Sequence, residues 1–227
     1  MQLDSKPRVQ GVIFDLDGVI VDTAQYHFEA WKTVASEWKY NLTAEDNEQL
    51  KGVSRKDSIA KIASWAGIIV SAAELNEIAA QKNKKYLALC NALSPKHILP
   101  GIVDLIHELK ANAIQIALGS ASKNARFVIE KLGLSKLFDV IIDGNDVNNS
   151  KPNPEVFLKA AQQMKLSPQA CVVIEDAPAG IQAALAAGMG VVGLGNISDL
   201  KQANLVLQDT KKLTLEQLNQ VSKKIVP

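Results

Sequence analysis

The 227-residue chain is short of several things, and each shortage removes a class of protein. It has two cysteines, Cys90 and Cys171, far apart in sequence. Two isolated thiols offer neither the spacing of a zinc or redox motif nor the density of a disulfide-stapled domain. Cys171 opens an apolar run, which predicts a buried free thiol in a reducing compartment. Neither charge is in excess: 25 Lys and Arg face 24 Asp and Glu, a formal net charge of +1. No global field recruits nucleic acid or an anionic membrane, so recognition of an anion has to be local. A membrane-length apolar run is also missing. The longest uncharged stretch, Ala177 to Ile197, is rich in glycine and alanine and divides better into helix, turn and strand. Met1 to Arg8 is polar, without the apolar core of a secretion signal. No internal repeat or low-complexity tract appears. These exclusions predict a cytoplasmic globular protein with ample length for a core in one or two domains.

Against that background one stretch is dense in meaning: Gly11-Val-Ile-Phe-Asp15-Leu-Asp17-Gly18-Val-Ile-Val-Asp22-Thr23. The β-branched run from Val9 to Phe14 predicts a buried strand. Residues i and i+2 of an extended chain point the same way, so Asp15 and Asp17 leave the strand side by side. Two negative charges at the end of a buried strand are costly unless something positive joins them. A divalent cation, alone or with a phosphoryl group, would offset that cost, and so would an ordinary solvated turn. A calcium loop of the EF-hand kind fits poorly, because Val19 and Ile20 stand where an oxygen ligand and a glycine are needed.

After Thr23 the pattern becomes helical. Phe28, Trp31, Val34, Ala35 and Trp38 follow the spacing of one buried helix face. Helical signals continue through Ala44–Lys51, Arg55–Ala66 and Ser71–Cys90, the last opening on the capping box Ser71-Ala-Ala-Glu74. From Pro100 helices alternate with strands. Helices are predicted over Gly101–Lys110, Lys123–Leu132, Pro154–Met164, Gly180–Ala187 and Leu215–Val221. Strands are predicted over Ile114–Leu118, Val140–Ile142, Cys171–Ile174, Val191–Leu194 and Leu205–Leu207. Such alternation predicts an α/β fold with a Rossmann-like, doubly wound parallel sheet. Residues 1–22 and 87–227 are then the core domain. Residues 23–86 are a helical cap inserted after the first strand.

Ligands of open parallel sheets bind beyond the carboxyl ends of the strands. The strand over Ile114–Leu118 ends in Gly119-Ser120-Ala121-Ser122-Lys123-Asn124, whose hydroxyls, lysine and helix-entry amides suit a phosphate, or equally an ordinary serine cap. The strand over Val140–Ile142 leads to Ser150-Lys151-Pro152-Asn153-Pro154, where two prolines fix the backbone around one lysine. The strand over Cys171–Ile174 ends in Glu175-Asp176. Each signal alone also describes a solvated turn or surface lysine. Together they put four carboxylates, a lysine and a hydroxyl-rich loop at one edge, a hard-oxygen set suited to Mg²⁺ and phosphate.

With these residues assembled, the chain resembles the haloacid dehalogenase-like phosphotransferase superfamily, whose four motif regions occur in order across nearly its full length. Asp22 to Phe28, Asn47 to Arg55 and Ser120 to Asn124 sharpen the resemblance to the hexose phosphate mutases of that superfamily. It implies Asp15 as nucleophile and the side chain of Asp17 as general acid/base. One Mg²⁺ would sit on Asp15, Glu175, Asp176 and the carbonyl of Asp17. Ser120, the amide of Ala121 and Lys151 would hold the transferring phosphoryl. Arg55, with Lys51, Gly52 and Val53 on the cap loop, and Ser122, Lys123 and Asn124 on the core would hold a second, distal phosphate. Thr23, His27 and Lys82 would position Asp17 on closure. The implied reaction interconverts β-D-glucose 1-phosphate and glucose 6-phosphate, primed by β-glucose 1,6-bisphosphate, in a monomer. The competing readings are a sugar-phosphate phosphatase using the same Asp15 and a non-catalytic phosphate-binding protein. The last has no use for a nucleophile paired with an acid. Two departures stand out. Gly119 replaces an expected alanine, which would loosen the cradle, and Ala177-Pro178 replaces an expected hydroxyl and amide.

Overall fold

A computed structural model describes residues 9–223. Met1 to Arg8, the stretch weighed as a leader, lies outside the described residues. Six parallel strands form one sheet in the order β3-β2-β1-β4-β5-β6. They are β1 (Gly11–Phe14), β2 (Gln115–Gly119), β3 (Val140–Ile142), β4 (Cys171–Glu175), β5 (Gly190–Leu194) and β6 (Leu205–Leu207). The chain starts in the middle, fills one side with β2 and β3, and returns to the other with β4. The order therefore reverses between β1 and β4, where clefts of such sheets open. Register aligns the carboxyl ends: Phe14 lies beside Leu118 and Ile174, and Gly119 beside Ile142. Strands β1, β4 and β5 are buried along their whole lengths, as expected of a sheet covered on both faces.

Four helices fall between β1 and β2 before the sheet resumes: α1 (Ala24–Glu37), α2 (Ala44–Glu48), α3 (Arg55–Ala66) and α4 (Ala72–Cys90). They close around a cluster of their own, in which Trp31, Val34 and Ala35 of α1 meet Ile59 and Ile62 of α3 and Ala79 of α4. Burying Ile59 and Ile62 completely stabilises this cluster by about 1.5–3 kcal/mol each. The capping box at Ser71 is present in full, with Ser71 and Glu74 bonded reciprocally. The remaining helices are α5 (Ile102–Ala111), α6 (Ala125–Lys131), α7 (Glu155–Met164), α8 (Pro178–Ala186) and α9 (Leu215–Lys223).

Two helix starts differ from the sequence reading by more than one residue. Helix α6 begins at Ala125 rather than Lys123, because the Ser120 and Ser122 hydroxyls accept from the N–H groups of Ser122 and Asn124 at 3.1 and 3.2 Å. Those local bonds hold residues 120–124 as an open loop. Helix α8 begins earlier, at Pro178, since proline suits a first helical position that needs no N–H donor. Both cysteines are buried and free. No helix among the described residues is long and apolar enough to cross a membrane.

Candidate active site

The strand pairing runs one residue past β1, with the Asp15 N–H donating to Ile174 O at 2.9 Å, so Asp15 emerges beside the end of β4. One oxygen each from Asp15, Glu175 and Asp176 lies within 4.8 Å of the others. Lys151 is buried beneath them. Its Nζ donates to Asp15 Oδ1 at 2.5 Å, Glu175 Oε1 at 2.7 Å and Gly119 O at 3.0 Å. Burial pulls the Lys151 pKa down, but Asp15 and Glu175 outweigh it and hold the ammonium above its ordinary range.

Three carboxylates against the Lys151 ammonium, with Lys51 3.6 Å from Asp176 alone, leave positive charge in deficit. Burial raises the Asp15 pKa to about 7, with Glu175 and Asp17 adding repulsion and Lys151 opposing. Burial also raises Asp176 well above the carboxylate range, reinforced by Glu175 and Asp15. Hard oxygens crowded, buried and short of a counter-charge fit a divalent cation such as Mg²⁺. The Asp17 side chain stands outside this cluster.

Two glycines let the carboxylates approach. Gly18 has φ +78°, and a Cβ there would stand 2.1 Å from Asp176 Oδ2, so backbone and side chain both demand glycine. In α8, a Cβ on Gly180 would stand 1.7 Å from Glu175 Oε1. Replacing a helical glycine by alanine ordinarily adds about 0.5–1 kcal/mol of stability. Here Gly180→Ala is expected to lower the thermal midpoint and weaken Mg²⁺ binding roughly tenfold or more, read by calorimetry. An unchanged midpoint and affinity would show that Glu175 moves aside at no cost.

Asp17 faces the helical cluster. Thr23 Oγ1 donates a short hydrogen bond to Asp17 Oδ1, and His27 Nε2 lies 3.9 Å from Asp17 Oδ2. Lys82 Nζ reaches His27 Nδ1 at 2.8 Å and stacks over the Trp31 ring. Burial raises the Asp17 pKa against the opposing effects of Thr23 and Lys82, so its carboxyl holds a proton more readily than an exposed one. Burial and then Arg55 lower Lys82 to about 7, while burial and Lys82 keep His27 well below its usual value.

A cavity of about 340 Å³ opens above these groups, between helices and sheet edge. Asp15, Asp17 and Asp176 line it, with Ser120 and Ala121. Lys51, Gly52, Val53 and Arg55 line it from the helical side, and Ser122, Lys123 and Asn124 from the sheet side. Thr23 and Lys151 lie behind the wall, bonded to Asp17 and Asp15, which do line it, and Glu175 lies behind them, bonded to Lys151. The sides touch at named points. Lys51 Nζ lies 3.6 Å from Asp176 Oδ2, and Ser150 Oγ donates to Asp57 Oδ2 at 3.0 Å.

The structure also brings in residues that the sequence reading passed over. Ser58 is buried, lines the cavity, and its hydroxyl has no hydrogen-bond partner among the described residues. It lies three residues after Arg55 on α3, a spacing that puts both on one face and was visible in the sequence. Asn83 bonds to both Arg55 and Asn124, a juxtaposition no local pattern announces.

The two departures are absorbed. An alanine methyl at position 119 would stand 3.0 Å from Ile13 Cγ2 and Phe157, so the expected loosening is not seen: no gap waits there. The N–H of Ala177 still donates to Glu175 Oε2, at 2.8 Å.

A carboxylate directly after β1, a buried lysine under it and an acidic pair at the end of β4 define a class. The chain belongs to the haloacid dehalogenase-like hydrolase family, whose profile matches residues 12–194. It is 42% identical to β-phosphoglucomutase of Bacillus subtilis over 93% of this chain and 95% of that protein. A crystal structure of β-phosphoglucomutase from Clostridium difficile superposes with a TM-score of 0.92 at 42% identity, covering 95% of this chain and 98% of that one. Fructose-1-phosphate phosphatase of Escherichia coli is 35% identical over 82% of this chain and 96% of that protein.

Proposed function

We propose that the protein acts as a β-phosphoglucomutase, an intramolecular phosphotransferase interconverting β-D-glucose 1-phosphate and glucose 6-phosphate. One observation carries the reading: a single cavity is lined by two sets of residues suited to phosphate. Asp15, Asp17 and Ser120 line it as one set, and Arg55 and Asn124, joined through Asn83, line it with Ser122 and Lys123 as a second. A phosphatase needs one such set, whereas a mutase working through β-glucose 1,6-bisphosphate needs two.

Lys151 grips one oxygen of Asp15, fixing the carboxylate and leaving the other oxygen to attack phosphorus. The bond from phosphorus to the sugar oxygen breaks as the bond to Asp15 forms, and Asp17 gives that leaving oxygen its proton. In the return step Asp17 takes the proton of the attacking sugar hydroxyl. Ser120, Ala121 and Lys151 surround the transferring phosphoryl. Asp15, Glu175, Asp176 and the Asp17 carbonyl would hold Mg²⁺, which would supply positive charge to offset that of the phosphoryl and the carboxylate. Between half-reactions Asp15 carries no phosphoryl, and the bisphosphate must turn end for end so that its other phosphate faces the carboxylate. On this reading residues 23–86 are a cap closing over the core, and Thr23, His27 and Lys82 bring Asp17 into play on closure. The two free thiols fit the cytoplasm.

Arg55→Ala tests this reading. Losing one charge-assisted grip should weaken bisphosphate binding by about 1.5–3 kcal/mol. A less firmly closed cap should also admit water to the phosphoryl-aspartate, lowering the ratio of glucose 6-phosphate formed to phosphate released. Arg55→Lys should recover little, since a point charge cannot reproduce a planar two-bond grip. If Arg55→Ala leaves affinity and ratio unchanged, the phosphatase is the better reading.

A further inference from the structure

Asn83 does not line the cavity, yet its side chain joins the two residues proposed to grip the distal phosphate from opposite sides. Arg55 Nη2 and Asn124 Nδ2 both donate to Asn83 Oδ1, each at 2.7 Å. The chemistry leaves no freedom in how these groups face. A guanidinium has only donors, so Asn83 must present its oxygen to Arg55. That oxygen accepts a second bond, so Asn124 must present its NH₂ group rather than its carbonyl. Arg55 keeps four further N–H donors and Asn124 one further amide hydrogen, and a phosphate needs donors alone.

We infer that Asn83 is a positioning residue for the distal phosphate, a neutral acceptor that turns Arg55 and the Asn124 amide donor-first and ties them to one atom. Neutrality matters, because a carboxylate in this place would orient the same donors while cancelling the charge that attracts the ligand. Position 83 lies one residue after Lys82 on α4, so the helix that carries the Lys82–His27 contact also sets the distal end. This inference rests on the two-phosphate reading above, and the test separates their failures.

The experiment is a double-mutant cycle on full-length enzyme with Mg²⁺ and a trace of bisphosphate, measuring KM and kcat for β-D-glucose 1-phosphate. Asn83→Ala keeps a good helix former at a half-buried position, and its fold is checked by the thermal midpoint. It should raise KM roughly tenfold with a much smaller change in kcat, because oriented donors are lost from binding. In an Arg55→Ala background the same substitution should raise KM by clearly less than tenfold, since only the hold on Asn124 remains to be lost. Asn83→Asp should raise KM at least as far as alanine does, with no loss of thermal stability, because the donors stay oriented while the ligand meets a negative charge. If Arg55→Ala raises KM but Asn83→Ala does not, the positioning role fails and the two-phosphate site stands. An equal effect of Asn83→Ala in both backgrounds also overturns the positioning role. If Arg55→Ala itself leaves KM unchanged, both readings fall.

Discussion

Asp15→Asn is expected to abolish covalent phosphorylation and to cut turnover roughly 10⁴-fold or more, because an amide is a far weaker nucleophile than a carboxylate. The same substitution has a second, opposite effect. Asparagine mimics the protonated aspartate, and in the metal-free protein burial raises Asp15 from 3.8 to about 7. A carboxyl whose pKa is raised by folding costs stability as pH rises from its unfolded value, and the cost is complete above the folded one. Metal-free Asp15→Asn should therefore match the wild type near pH 4 and exceed its thermal midpoint at pH 8. Substantial phosphotransfer by a variant shown to be free of deamidated protein would remove Asp15 from the chemistry. A lower midpoint at pH 8 would mean that the Lys151 contact outweighs the burial cost.

Asp17→Asn separates proton transfer from metal binding. Turnover should fall about 10²–10⁴-fold, the usual contribution of a general acid/base. The fold should hold, since an asparagine oxygen still accepts from Thr23 Oγ1. Mg²⁺ affinity should be nearly unchanged, because Asp15, Glu175 and Asp176 make up the carboxylate cluster without the Asp17 side chain. A rate close to wild type would exclude Asp17 as the acid. Loss of metal binding would instead make its side chain a ligand.

The sheet was legible in the sequence because parallel, doubly covered strands are short apolar runs with little room for other readings. The runs at 140–142 and 205–207 appear in the structure with the predicted bounds. The chemistry of the strand ends was legible for the same reason, since a carboxylate directly after such a run emerges at the sheet edge whatever the tertiary detail. The initial picture of Asp15 and Asp17 side by side needed amending. Strand geometry gives way to a turn at Gly18, and Asp17 bonds to Thr23 while Asp15 pairs with Lys151. Less legible were contacts made by packing one helix on another. Asn83 lies 28 residues from Arg55 and 41 from Asn124, and no periodicity links positions so spaced. Ser58 was passed over because a lone serine in a helix carries no chemistry until its surroundings withhold every partner.

Ser150 and Lys151 are neighbours that face opposite ways. Ser150 holds Asp57 in the first turn of α3, and Lys151 holds the carboxylate of Asp15. A single peptide unit thus acts as a rocker arm between a solvent-side helix and the nucleophile's counter-ion. Whatever tilts α3 pulls on the same backbone that sets how tightly Asp15 is clamped. Asp57→Ala, which removes the Ser150 bond, is the substitution expected to reach Asp15 by this route.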